Sequence, residues 1–210
     1  MLIGERICGL DEAGRGPFAG PLLAAAVIFP VGYDFAEQFR KAILRDSKKL
    51  SQKQREALYT VIYEAALCVE VIEISVEAIN AHGIGWANRT AFERLIGRVG
   101  VSLHPVDHYL VDGNLRLELP PPLKAKHINR IRADESIPAV AAASIVAKVT
   151  RDRIMTDLHQ MHSLYGWDRN HGYGTKDHIA ALRRYGATEH HRTQFIAKTL
   201  SAPLPGLKLS

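Results

Sequence analysis

The sequence predicts an α/β fold: a central mixed β-sheet flanked by helices, with a helical C-terminal part. Three observations carry this. Two strand-like runs come first, at residues 6–10 and 22–29; later strand-like runs alternate with helical stretches; and no internal repeat, low-complexity tract or linker divides the chain. With 210 residues, 47% hydrophobic and 23% charged, the chain can bury a core and is too apolar for disorder. One domain is expected over residues 1–200. Residues 201–210, with Pro203, Pro205 and Gly206, are expected to form a flexible tail, loosely held from about Thr199.

Residues 6–10 have β character and run into the pair Asp11-Glu12, after which Ala13-Gly14-Arg15-Gly16-Pro17 reads as a turn. Residues 22–29 read as a buried strand, giving a hairpin whose loop holds charge and glycine. Residues 51–67 are a helix, with Ser51 able to cap its start and Leu58, Ile62, Ala65 and Ala66 sharing a face. A strand is expected at 69–74 and a second amphipathic helix at 86–99, with Phe92, Leu95, Ile96 and Val99 on one side. A short apolar strand at 108–111 ends at Asp112-Gly113, residues 119–123 read as an extended loop, and 126–131 alternate in strand fashion. Pro138 suits the first turn of a long Ala-rich helix to about Met161, and residues 175–185 form a further helix.

The 27 Lys and Arg against 22 Asp and Glu give a formal charge of +5, a mild excess that fits a polyanionic partner without requiring one. Cys8 and Cys68 make no metal-binding spacing and read as reduced, buried thiols of a cytoplasmic protein. The first residues lack a signal-peptide pattern. The longest apolar stretch, 20–31, is too short to span a bilayer and is bounded by Pro21 and Pro30, so no membrane partner is expected.

Asp11 and Asp112 directly follow short apolar strands, and Asp134 follows one after a few residues. Acids at strand ends of an α/β sheet can converge in the crevice where ligands bind. Converging carboxylates repel one another and need hard cations, so Mg²⁺ or Mn²⁺ fits where no Cys/His cluster calls for zinc. Two such ions are a standard device for phosphodiester displacement. The same acids are also ordinary turn formers, Asp112-Gly113 above all. Glu12 poses a separate question, because adjacent strand residues point to opposite faces. Either the strand stops before it, or it pairs with a cation.

The string Gly9-Leu10-Asp11-Glu12-Ala13-Gly14-Arg15-Gly16-Pro17 resembles the signature of bacterial ribonuclease HII, a type 2 ribonuclease H. Further blocks follow in order: Asp46-Ser47-Lys48-Lys49-Leu50-Ser51, Val111-Asp112-Gly113, Asp134, the stretch 141–153, Gly172-Tyr173-Gly174-Thr175 and His191-Arg192. Together they span about residues 7 to 195. The resemblance implies a ribonuclease H-like fold and an endonuclease that cuts the RNA strand of RNA–DNA hybrids. It also implies nicking 5′ of single ribonucleotides in duplex DNA, leaving 5′-phosphate and 3′-hydroxyl ends. It implies that Asp11, Glu12, Asp112 and Asp134 hold two Mn²⁺ or Mg²⁺ ions. Ala133 stands where the family usually has Gly, and Glu135 adjoins the acid; the match of the following helix selects Asp134.

The resemblance gives the loop Gly14, Arg15 and Gly16 the task of sensing the ribose 2′-hydroxyl, where local sequence alone reads as a tight turn. It has Tyr173 pack on the deoxyribose beyond the junction; otherwise Tyr173 is a loop anchor. Ser144, Lys148 and Arg151 share one helix face and, with Lys48, are expected to meet phosphates, the plain alternative being a solvated face. His159, His162, His190 and His191 are read as structural. The expected partners are RNA–DNA hybrid and ribonucleotide-containing duplex DNA, and the active species a monomer. A replication-clamp contact is left open, with no residue here that argues for it. Two other readings remain: a nuclease of the same fold acting on DNA junctions, and a hybrid-binding module without catalysis.

Overall fold

The structure is a computed structural model that describes residues 4–35 and 50–201. Its centre is a five-stranded sheet: β1 (Ile7–Ala13), β2 (Leu22–Ile28), β3 (Cys68–Ile74), β4 (His108–Asp112) and β5 (His127–Arg130), in the order β3-β2-β1-β4-β5. β2 pairs antiparallel with both β1 and β3, whereas β4 runs parallel to β1 and to β5. The sheet is therefore mixed, as the order of strands and helices in the sequence predicts.

Every residue of β2 is buried, because both faces of the sheet are covered. Leu22, Ala24, Ala26 and Ile28 enter one core together with Cys8 and Leu10. That core is closed by α2 (Val76–His82) and α3 (Ile84–Gly100), the latter contributing Phe92, Leu95, Ile96 and Val99. Ala25 and Val27 enter the opposite core, closed by α1 (Gln52–Ala65) and α5 (Pro138–Met161). Between β4 and β5 lies the short α4 (Pro121–Lys124). A third apolar cluster, around Met155, Tyr165 and Trp167, joins the C-terminal half of α5 to α6 (Trp167–Asn170), α7 (Lys176–Tyr185) and α8 (Thr193–Ser201). No described helix is long and apolar enough to cross a membrane.

Four expectations need correction. β1 does not end near residue 10 but continues through Asp11 and Glu12 to Ala13, because β2 keeps pairing with it as far as Leu23. Residues 119–123 are not a wholly extended loop: the prolines that argue against a strand pre-set φ for the first turn of α4. α2 lies outside the predicted elements, though Ser75 caps it by accepting from the Ala78 N–H. The chain is helical through Thr199 to Ser201, so the tail is not loose from Thr199. The segment from Asp46 to Lys49, including Lys48, lies outside the described residues, as do residues 202–210.

Candidate active site

α5 crosses β1 at Gly9. A Cβ there would sit 2.1 Å from the Ala139 carbonyl carbon, so only glycine lets the first turn of α5 rest on the strand. This close seat puts Ser144 over Asp11, and its hydroxyl is hydrogen-bonded to the Asp11 carboxylate. Asp11 Oδ1 also accepts from the Glu12 N–H at 2.8 Å. Because β1 and β4 are parallel neighbours with Leu10 opposite Val111, Asp11 and Asp112 emerge at the same end of adjacent strands.

Asp112 in turn fixes the third acid. Its Oδ1 accepts from the Ala133 N–H at 2.7 Å, which holds the 3₁₀ turn Ala133–Glu135 against the end of β4. Ala133 is fully buried and packs with Leu110 and Val140, so its methyl fills an apolar niche. Asp134 points inward and is buried, whereas Glu135 is exposed and faces Arg132 at 3.9 Å. Asp134 rather than Glu135 therefore joins the cluster. Asp11, Asp112 and Asp134 each bring a carboxylate oxygen within 4.8 Å of the others.

Glu12 stands apart from that trio. Since the strand stays regular, Glu12 leaves it on the face of Leu10, opposite Asp11. Its carboxylate pairs with Arg15 Nη1 at 3.3 Å and still reaches the same cavity around the end of the sheet. Both options raised by the sequence thus resolve toward the cation partner. Burial pushes the Asp11 carboxyl well above its usual range, and the charges of Glu12 and Asp112 push further. Burial also raises Glu12, with Arg15 offsetting part of the effect.

The cavity has a volume of about 510 Å³. Besides the four acids it is lined by Gly14, Arg15, Gly16, Ser144, Lys148, Arg151 and Tyr173, so every sequence-selected site residue within the described part faces it. The Tyr173 ring stands beside the loop of Gly14 to Gly16, close enough that a Cβ added to Gly16 would meet it at 3.9 Å. Tyr173 is itself 44% exposed and free to meet a ligand.

Arg151 is a correction. It borders the cavity but is only 1% exposed, and its guanidinium is spent on backbone carbonyls: Nε to Pro21 at 3.0 Å, Nη2 to Ala19 and Nη1 to His171, both at 2.9 Å. Gly14, with φ +93°, passes so close that a Cβ would meet Arg151 Nε at 2.2 Å. Arg192, also fully buried, holds the same segment from the other side, donating to the carbonyls of Gly20, Pro21 and Arg15. Both arginines sit within family-like blocks, yet neither spacing nor periodicity tells a carbonyl clasp from a phosphate contact.

Lys148 remains accessible at the cavity, with its side chain 31% exposed, and donates to Asp152 Oδ1. Asp152 is buried and also faces Arg55 at 3.9 Å and His171 at 3.6 Å. Arg55, on α1, lines the cavity and was not singled out from the sequence. Its local pattern is that of any arginine on a polar helix start.

The histidines behave as expected for structure in one case. His191 Nδ1 accepts from the Thr188 N–H at 2.9 Å, which leaves the Nε2 proton to donate to His178 Nε2 at 3.1 Å. His178 Nε2 also accepts from Trp167 Nε1 at 3.2 Å, and its Nδ1 donates to the Tyr173 carbonyl at 2.9 Å. This chain of neutral rings fixes the loop on which Tyr173 stands.

Residues 8–199 match the family model of ribonuclease HII. A ribonuclease HII from Acidovorax sp. (strain JS42) is 44% identical over 200 residues, covering 94% of this chain and 90% of that one. Among solved structures, the fold is similar to that of the PCNA:RNase HII complex from Archaeoglobus fulgidus. There the TM-score is 0.74 at 27% identity, over 95% of this chain and 98% of that one. It is also similar to the ribonuclease H2 from Pyrococcus horikoshii OT3, with a TM-score of 0.73 at 25% identity over 93% and 97%.

Proposed function

The chain belongs to the ribonuclease HII family, enzymes that hydrolyse the RNA strand of RNA–DNA hybrids, and we propose that it also nicks duplex DNA 5′ of a single embedded ribonucleotide. The observation that supports this reading is one cavity that gathers the acid cluster, the loop of Gly14 to Gly16 and, beside that loop, Tyr173. A site so arranged can examine the ribose and the deoxyribose that follows it while holding the phosphate on the 5′ side of the ribonucleotide.

The donor set fits hard divalent cations. Three carboxylates each bring an oxygen within 4.8 Å of the others, and Asp11, raised first by burial and then by the charges of Glu12 and Asp112, gains from a bound cation that offsets that charge. We assign Asp11, Glu12, Asp112 and Asp134 to hold two Mg²⁺ or Mn²⁺ ions, with Glu12 exchanging Arg15 for metal. When bound, such ions supply an activated water and neutralise the leaving oxygen. Ser144 keeps the Asp11 carboxylate oriented. Lys148 and Arg55, both held by Asp152, meet backbone phosphates at the cavity. Arg15 and the backbone of its glycines contact the ribose 2′-hydroxyl, and Tyr173 stacks on the following deoxyribose. Water adds to the phosphorus as the P–O3′ bond breaks, leaving a 3′-hydroxyl upstream and a 5′-phosphate on the ribonucleotide. We read the active species as a monomer working in the cytoplasm, on ribonucleotides left in duplex DNA during replication and repair.

The test is incubation of the full chain with three duplexes: one holding a single ribonucleotide, one RNA–DNA hybrid and one all-DNA junction, each with Mg²⁺ or Mn²⁺. Cleavage 5′ of the lone ribonucleotide is expected. Cutting of the hybrid alone would refute the junction reading, and cutting of the DNA junction would point to a resolvase-like activity.

A further inference from the structure

The end of α5 and the loop before α8 bring together His162, Glu189 and His190, none of which lines the acidic cavity. Glu189 Oε1 lies 3.5 Å from His190 Nε2 and 3.9 Å from His162 Nε2, and the three ligating atoms lie within 4.8 Å of one another. Tetrahedral zinc, with bonds of about 2.0–2.1 Å to N and O, sets its ligand atoms roughly 3.4 Å apart. A small closure of three side chains therefore makes a ligand set.

The two rings are already oriented. Both pack edge-on against the fully buried Trp167, at centroid distances of 5.6 and 6.1 Å, and against each other at 5.1 Å. Glu189, with its side chain 74% exposed, leaves the fourth position open to water. Two imidazoles and a carboxylate suit a borderline ion such as zinc, whereas the all-oxygen cluster at the sheet end suits a hard one.

We propose that His162, Glu189 and His190 form a second metal site, selective for a borderline divalent ion of the Zn²⁺ type over Mg²⁺. Its position gives it a structural task. It ties the C-terminus of α5 to the loop that carries His191 and Arg192, and Arg192 holds the carbonyls of Arg15, Gly20 and Pro21. Loading the site stiffens the clasp on the cavity loop without adding a group to the cavity itself. The competing account is a pair of histidine–glutamate ion pairs, which vanish once the rings are neutral and need no metal.

The experiment is a calorimetric titration of the full chain with Zn²⁺, in excess Mg²⁺ to fill the acidic site and at a pH above the imidazole range. One equivalent is expected to bind and to raise the melting temperature. Co²⁺ in place of Zn²⁺ should give the visible absorption of a tetrahedral site. The double variant His162→Ala/His190→Ala should lose the equivalent and the thermal shift. Because His190 packs on Trp167, the exposed Glu189→Gln provides a variant that leaves that packing in place; its affinity should fall by about tenfold or more. No heat with the parent protein, or an equivalent that survives unchanged in both variants, overturns the site.

Discussion

Arg192 Nη1 donates to the carbonyl of Arg15 at 3.2 Å, across 177 residues of chain. The same guanidinium reaches Gly20 from Nε at 3.0 Å and from Nη2 at 2.7 Å, and Pro21 from Nη2 at 3.0 Å. Arg192→Ala should destabilise the protein by on the order of 3 kcal/mol, since buried carbonyls lose a charged donor. Arg192→Lys keeps the charge but not the planar fork. It should fold and still cut single-ribonucleotide duplexes more slowly than the parent. Equal kcat and KM in a folded Arg192→Lys would show that the clasp does not set the loop.

Asp11→Asn removes a carboxylate whose charged form the fold disfavours. Without metal at neutral pH the variant should melt at the same temperature as the parent or higher, and it should not cleave hybrid at any Mg²⁺ or Mn²⁺ concentration. Thermal scans with and without a chelator check this. A large fall in melting temperature in the chelated protein would make Asp11 a structural residue.

Tyr173→Ala should slow cleavage at a lone ribonucleotide by about tenfold or more, the scale of one lost stacking contact. Its stability should stay within about 0.5 kcal/mol of the parent, because the side chain is exposed and its loop is held by the His178 bond to the Tyr173 carbonyl. Rates on continuous hybrid against single-ribonucleotide duplex make the comparison, and matching rates for variant and parent would remove the stacking role.

Burial, and then the charge of His178, lower His191 from 6.5 to about 4. On acidification the unfolded chain takes up this proton before the folded one. The stability tied to the neutral ring is therefore complete above pH 6.5 and is lost as pH falls from 6.5 toward 4. His178 shifts in the same direction. Melting temperature should fall as pH is lowered across that window, and for His191→Gln it should fall less. Parallel curves for the two proteins would sink this account.

Much of the site could be read from the chain because its residues sit at places where local pattern is strong. Asp112 ends a run of apolar β residues, and Ser144 and Lys148 repeat every fourth position on one helix. What could not be read is how charges are spent once the chain closes. Arg151 falls on the same helix face as Lys148, yet three backbone carbonyls from two distant loops claim it. Arg55 gains its place at the cavity only because α1 packs beside α5, a tertiary fact with no local trace. Glu12 illustrates the reverse: strand alternation rightly sets it opposite Asp11, and only the geometry at the sheet end lets both acids approach one cavity. Among the elements, α2 and α4 are too short for a periodic stripe to register, whereas the seven buried residues of β2 are plain from composition alone.

The clasp on the cavity loop has a bearing on biosynthesis. Arg15 leaves the ribosome 177 residues ahead of its anchor. Throughout translation the nascent chain can pair β1 with β2 early, while the segment from Arg15 to Pro21 stays without Arg192. The setting of the cavity loop thus waits for Arg192, and a chain cut short of that arginine would lack its clasp.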